Sequence, residues 1–133
     1  ISKWNGDILQ TPPMVSAVKK NGVPLYKLAR KGQTVERKPK LIHIYEFNLV
    51  DFAPPHATFY LRCSKGAYVR TLCADIGDTL GCGAILDRLC RTRIGEFSVQ
   101  NATGLDALLR LDRHQLLDLI TPLGRINLNS GRS

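Results

Sequence analysis

The residue in this 133-residue chain that most asks for a chemical partner is Arg70. It stands in Ser-Lys-Gly-Ala-Tyr-Val-Arg-Thr-Leu, running from Ser64 to Leu72. From Tyr68 onward Val69, Leu72, Cys73, Ile76 and Leu80 recur at helical spacing, and Gly81 follows as a C-cap. The spacing predicts a helix with Arg70 in its first turn, at the positive end of the helix dipole, where a cation is disfavoured by about 0.3–1 kcal/mol. A carboxylate or phosphate beside the guanidinium would offset that cost. The other chemistry-bearing residues form no recognisable set. His43, His56 and His114 are far apart and have no serine or cysteine in a hydrolytic arrangement; His43 falls in a strand pattern and reads as a face residue. Cys63, Cys73, Cys82 and Cys90 make no Cys-x-x-Cys pair, so they read as small apolar thiols in a reducing compartment, with no metal expected. The glycines of Gly-Asp-Thr-Leu-Gly-Cys-Gly do not make a phosphate loop and read as a capping bend. No paired carboxylates recommend themselves.

The elements that must hold Arg70 read as a mixture of α and β. Met14–Lys19 suggests a short strand after Pro12-Pro13, and Lys-Lys-Asn-Gly a tight hairpin turn. Leu25–Arg30 suggests a short helix closed by Gly32. Leu41–Asp51 is a β-branched and aromatic strand, broken by Asp-Phe-Ala-Pro-Pro. In the next strand, Thr58–Cys63, the alternation of Phe59, Leu61 and Cys63 with Thr58, Tyr60 and Arg62 marks one buried face. After the Arg70 helix come a short helical piece at Ala84–Leu89 and a strand at Cys90–Val99. A helix follows over Thr103–Leu111, with Thr103 and Asp106 at capping-box spacing. A last helix, Asp112–Ile120, stops at Pro122, and residues 124–133 read as a flexible tail.

Composition narrows the class. One domain's worth of chain with 44% hydrophobic residues can build a core, and no apolar run approaches the roughly 18–20 residues that span a bilayer. Ile1 opens the chain in place of a methionine, which suggests a piece of a longer protein. The net charge is +8, and it is concentrated. Lys19, Lys20, Lys27, Arg30, Lys31, Arg37, Lys38 and Lys40 face Glu36 alone, a net +7 within one segment. Arg88, Arg91 and Arg93 form a second basic group beyond the helix. Two such regions are the electrostatic footprint of a nucleic-acid binder. From the residues alone, the reading reaches an α+β domain that binds RNA or DNA and holds Arg70 near an anion.

Two ordered signatures extend it. Pro-Pro-Met-x-Ser-Ala-x-Lys with Leu-Tyr-x-x-Ala-Arg following, and then Ser-Lys-Gly-x-Tyr-x-Arg-Thr-Leu with Gly-Cys-Gly-Ala, closely resemble the bacterial tRNA pseudouridine synthase B family, the tRNA pseudouridine-55 synthases. The resemblance covers roughly Gly6 to Leu108. It implies a pseudouridine-synthase-like α+β fold, with a mixed, mostly antiparallel sheet flanked by helices. Residues 1–123 would be the C-terminal part of the catalytic domain, with 14–40 as an RNA-gripping thumb. It also implies a cytoplasmic enzyme that needs no cofactor, acts on the T-stem-loop of tRNA and isomerises a uridine flipped from the loop. Arg70 would pair with an essential aspartate, Tyr68 would line the pocket, and Leu89 would wall it. Lys19, Lys20, Lys27, Arg30, Lys31, Arg37, Lys65 and Arg91 would contact RNA.

The chain departs from the family at its nucleophile. The aspartate-bearing Gly-x-x-Asp-x-x-Ala-x-Gly signature is absent from these 133 residues, and none of Asp7, Asp51, Asp75, Asp78, Asp87, Asp106, Asp112 and Asp118 has its flanks. Asp75 reads as a helix-surface carboxylate. Ile85 stands where the family often has His, and Cys90 where Arg is common. The expectation is a catalytic half, inactive alone, whose partner is the N-terminal portion of the same enzyme and whose sheet has open edges. The alternatives are a non-enzymatic RNA-binding module or paralogue fragment, and a basic protein binding any polyanion.

Overall fold

A computed structural model describes residues 2–20 and 22–126, in two compact units divided between Asp87 and Arg88. The first unit is built on a three-stranded antiparallel sheet. Strand β1 (Gly6–Gln10) belongs to that sheet, while short strands β2 (Lys19–Lys20) and β3 (Val23–Pro24) form a separate hairpin. Helix α1 (Leu25–Arg30) follows directly. Strands β4 (Lys40–Ala53) and β5 (His56–Cys63) form the main hairpin, and helix α2 (Val69–Leu80) completes the unit. The first half of β4 pairs with β1. The sheet order is β1-β4-β5, so β1 and β5 are its edges among the described residues.

The hydrophobic pattern explains where the core sits. Ile42 and Ile44 are buried on β4 at strand spacing, yet the next buried residue is Phe47, not residue 46. A register shift between Ile44 and Glu46 inserts Tyr45 as an extra residue and reverses the phase of the strand. Phe47 is thereby turned onto the same face, where its ring stacks on Phe59 of β5 with centroids 4.8 Å apart. Leu72 of α2 packs against Ile44 and Phe47, with Trp4, Ile8, Leu61 and Ile76 around them. On β5, Phe59, Leu61 and Cys63 are the less exposed residues and Thr58, Tyr60 and Arg62 the exposed ones, as their alternation predicts.

Helix α2 ends as its sequence demands. Gly81 adopts the left-handed conformation at φ +77°, Gly81 N donates to Asp78 O and Cys82 N donates to Gly77 O. The chain then doubles back over Gly77 so closely that a side chain there would collide with the backbone of Gly83 and Ala84. This return replaces the expected helix at Ala84–Leu89: Gly83, at φ +66°, directs the chain across α2, and residues 84–89 carry no helix.

The stretch Met14–Lys19 is likewise no continuous strand. Its carbonyls serve the helix beside it: Ser16 O accepts from Tyr26 N and Val18 O from Leu25 N, leaving only Lys19–Lys20 to pair with Val23–Pro24. Helix α1 and the hairpin turn stand as expected, with Gly22 at φ +78°.

The second unit contains a two-residue hairpin, β6 (Arg93–Ile94) and β7 (Phe97–Ser98), where one strand from Cys90 to Val99 is predicted. Gly95, at φ +56°, turns the chain in mid-segment, and Val99 enters a single 3₁₀ turn. Helix α3 spans only Leu105–Leu108, with Gly104, not Thr103, at its N-cap and no side-chain cap. Asp106 is a methylene shorter than the Glu that reaches back in a capping box. The box in this unit is at helix α4 (Arg113–Leu119): Asp112 Oδ1 accepts from Gln115 N at 2.9 Å, and Gln115 Oε1 accepts from Asp112 N at 3.0 Å. Leu123–Arg125 is a 3₁₀ turn, and residues 127–133 of the expected tail lie outside the described residues.

Candidate functional site

Three anchors hold the segment that delivers Arg70. Ser64, leaving β5, is tied to β4 twice: its N–H donates to His43 O at 2.8 Å, and its hydroxyl accepts from His43 N at 2.9 Å. Gly66 turns the loop at φ +86°, a conformation unfavourable for a side-chain-bearing residue. Tyr68 is the N-cap of α2, in extended conformation, and its own side chain caps nothing. Its backbone is held by a residue that periodicity did not single out. Gln10, at the end of β1 and 2% exposed, accepts from Tyr68 N at 2.6 Å and donates to Tyr68 O at 3.0 Å.

Arg70 therefore sits in the first turn of α2, as its spacing predicts. It is exposed, the turn contains no acidic residue, and no carboxylate among the described residues pairs with it. Tyr68 is half-buried two residues before, and Lys65 is exposed on the preceding loop. Tyr68, Arg70 and Lys65 thus lie close in sequence at one helix start, and Arg70 is a cation without a counter-ion among the described residues, at the positive end of the helix. Such an arrangement can receive an anion or orient an external carboxylate.

The basic segment is only partly free surface. Lys19, Lys27 and Lys31 are exposed. Arg30 is exposed with its guanidinium 5.5 Å from the Tyr26 ring centroid, a cation–π contact that stiffens it on α1. Arg37 is half-buried and donates from Nη1 to Pro12 O at 3.1 Å, tying the end of the segment to its beginning. Leu89 and Arg91 belong to the second unit, and both are exposed.

Asp7 Oδ1 lies 2.6 Å from His43 Nδ1 across the β1–β4 pair. Burial pushes the Cys73 thiol up, away from the reactive thiolate, and no group of His, Cys, Asp or Glu among the described residues is arranged to hold a metal. Burial first, and Asp78 second, raise the Asp75 carboxyl from its ordinary value. A raised folded-state value means that ionisation disfavours the fold, so this contribution is lost as pH climbs through the interval between the ordinary and raised values. Asp75→Asn is expected to raise stability at neutral pH by up to about 0.5 kcal/mol, the group being half-exposed and screened. The gain should vanish in acid below the ordinary aspartate range. Unfolding midpoints of the two chains across pH check this; a gain that grows in acid would have the wrong sign.

Comparison with known proteins adds a second line of observation. Residues 1–69 match the family model described as TruB family pseudouridylate synthase (N terminal domain), and residues 70–126 match the tRNA pseudouridylate synthase B C-terminal domain. Arg70 is the first residue of the second match, whereas the structural division lies at Asp87/Arg88. The chain is 49% identical over 117 residues to a protein named tRNA pseudouridine synthase B from Francisella philomiragia, covering 88% of this chain and 39% of that protein. Proteins of the same name from Opitutus terrae and Syntrophotalea carbinolica are 49% and 52% identical, with 49% and 38% of their lengths covered. The chain thus spans 38–49% of the length of these relatives.

Proposed function

Because the chain belongs to the TruB pseudouridylate synthase family, we propose that it supplies the arginine–tyrosine side of the active site and the RNA grip of an enzyme that isomerises the T-loop uridine at position 55 of tRNA. The observation that carries this reading is Arg70, exposed in the first turn of α2 and without a counter-ion among the described residues. Its natural counterpart is the carboxylate of an aspartate outside these residues, held by a bidentate, charge-assisted pair. That carboxylate is the nucleophile. The target base leaves the loop stack, its glycosidic bond to nitrogen breaks, and the same base rejoins the sugar through carbon, so nothing is added or removed. Tyr68 lines the pocket against the flipped base. No cofactor is needed. Lys19, Lys20, Lys27, Arg30, Lys31, Lys65 and Arg91 contact the backbone of the T-stem-loop, while Arg37 also closes the segment on Pro12.

The direct test incubates the complete polypeptide with unmodified tRNA and assays pseudouridine in the T-loop. Tight binding without conversion would favour the non-enzymatic RNA-binding alternative. The grip has its own test. Neutralising Lys19, Lys27 and Lys31 is expected to weaken RNA binding and to reduce the magnitude of the salt slope by about 0.7–0.9 for each phosphate left without its lysine. The single-turnover step on saturated RNA should stay nearly unchanged. An unaltered salt slope would return the cluster to an ordinary solvated face.

A further inference from the structure

The buried amide of Gln10 grips the peptide unit at which α2 begins. Tyr68 O accepts from Leu72 N at 3.0 Å, the first bond of the helix, and from Gln10 Nε2 at 3.0 Å, while Tyr68 N donates to Gln10 Oε1 at 2.6 Å. A primary amide is suited to this because it offers one acceptor and donors in one plane. Asparagine would be a methylene short, and a carboxylate would turn a lone pair toward the Tyr68 carbonyl. The other end of the connection is equally specific. Gln10 closes β1, paired with Lys40 of β4, and two residues on the Pro12 carbonyl takes the Arg37 guanidinium that closes the basic segment. One side chain therefore joins the base of the basic segment to the start of the Arg70 helix, across 58 residues of sequence.

We propose that Gln10 is the positioning residue of this site: it fixes where Tyr68 and Arg70 stand relative to the root of the RNA-binding segment, so that bound RNA and the arginine's carboxylate meet in register. The inference rests on the function proposed above. It predicts a defect in the chemical step, not in grip, since Gln10 is buried and touches no RNA. A displacement of about 1 Å at a reacting group can cost about a hundredfold.

The test uses the complete polypeptide with Gln10→Met, which keeps the bulk and removes both polar functions, and Gln10→Glu, which keeps the acceptor alone. Gln10→Met is expected to slow single-turnover conversion at least tenfold while the RNA dissociation constant stays within about threefold. Gln10→Glu should be equally slow at about pH 8 and should recover relative to wild type at the same pH toward about pH 5.5, as protonation of the carboxyl restores a donor to Tyr68 O. A merely structural role would not give a pH-dependent rate ratio in folded protein. Should Gln10→Met fail to fold, the pH ratio of Gln10→Glu decides alone. Rates within about threefold of wild type, a ratio flat with pH, or a binding defect that accounts for the slower rate would overturn the proposal. Hydrogen exchange at the Tyr68 amide keeps the two readings apart. Faster exchange in either variant upholds the clamp even if wild type converts no uridine, and unchanged exchange overturns it whatever the activity.

Discussion

If Arg70 pairs with the nucleophilic aspartate as proposed, Arg70→Lys in the complete polypeptide is expected to lower turnover by about a hundredfold or more and to leave the fold intact. The size follows from geometry. A guanidinium meets a carboxylate through two parallel N–H···O bonds in a fixed plane, and a lysine ammonium supplies a point charge on a longer leash. Hydrogen bonds to charged groups contribute about 1.5–3 kcal/mol each, and about 1.4 kcal/mol is a factor of ten in rate. The fold should be spared because Arg70 is exposed. Lysine also keeps the same charge at the helix start. The sign of a second measurement separates function from stability: Arg70→Ala, on the chain alone, should stabilise α2 by about 0.3–1 kcal/mol by removing a cation from the positive end of the dipole. A residue that costs stability yet is indispensable to turnover is held there for its chemistry. Turnover of Arg70→Lys within about threefold of wild type would sink the carboxylate-partner assignment.

How far this site was legible in the sequence depended on whether each signal was local. The helix start was legible because the apolar residues Val69, Leu72 and Ile76 and the terminal Gly81 lie within one element, and α2 spans Val69–Leu80. The β5 alternation was legible for the same reason. Gln10 was not. A glutamine closing a short strand before two prolines carries no sign that its amide will be buried, and its partner lies 58 residues away. The phase reversal in β4 was also hidden, since Tyr45 looks like any strand aromatic until Phe47 must reach the core. The misread helix at Ala84–Leu89 failed against a packing constraint: Gly77 lets the return from α2 cross the helix, and that path overrides local propensity. Arg37 belongs between these cases. Its charge was visible, but its bond to Pro12 was not, so only the structure shows that it also closes the basic segment.

Incubated with tRNA, the 133-residue chain alone should convert no uridine, although it should bind a T-stem-loop weakly through its charge. None of the residues proposed for the site at the start of α2 is a carboxylate: Arg70 and Lys65 are cations and Tyr68 is a phenol. The chain's own aspartates are placed for other work. Asp7 bonds His43, Asp112 caps α4, and Asp118 lies 3.6 Å from His114. Asp51, Asp78 and Asp106 are exposed on their own elements. Supplying the aspartate-bearing portion of the family, in cis or as a separate polypeptide, is expected to restore conversion by giving Arg70 its carboxylate and the sheet a neighbour at an open edge. Arg70→Lys should block the restored activity and leave association of the two pieces untouched, which distinguishes a catalytic pair from a merely adhesive one. If the chain alone converts uridine catalytically, one of its own aspartates is the nucleophile. Asp75 would then be the first to replace, because its carboxyl is already perturbed and lies on the same helix as Arg70.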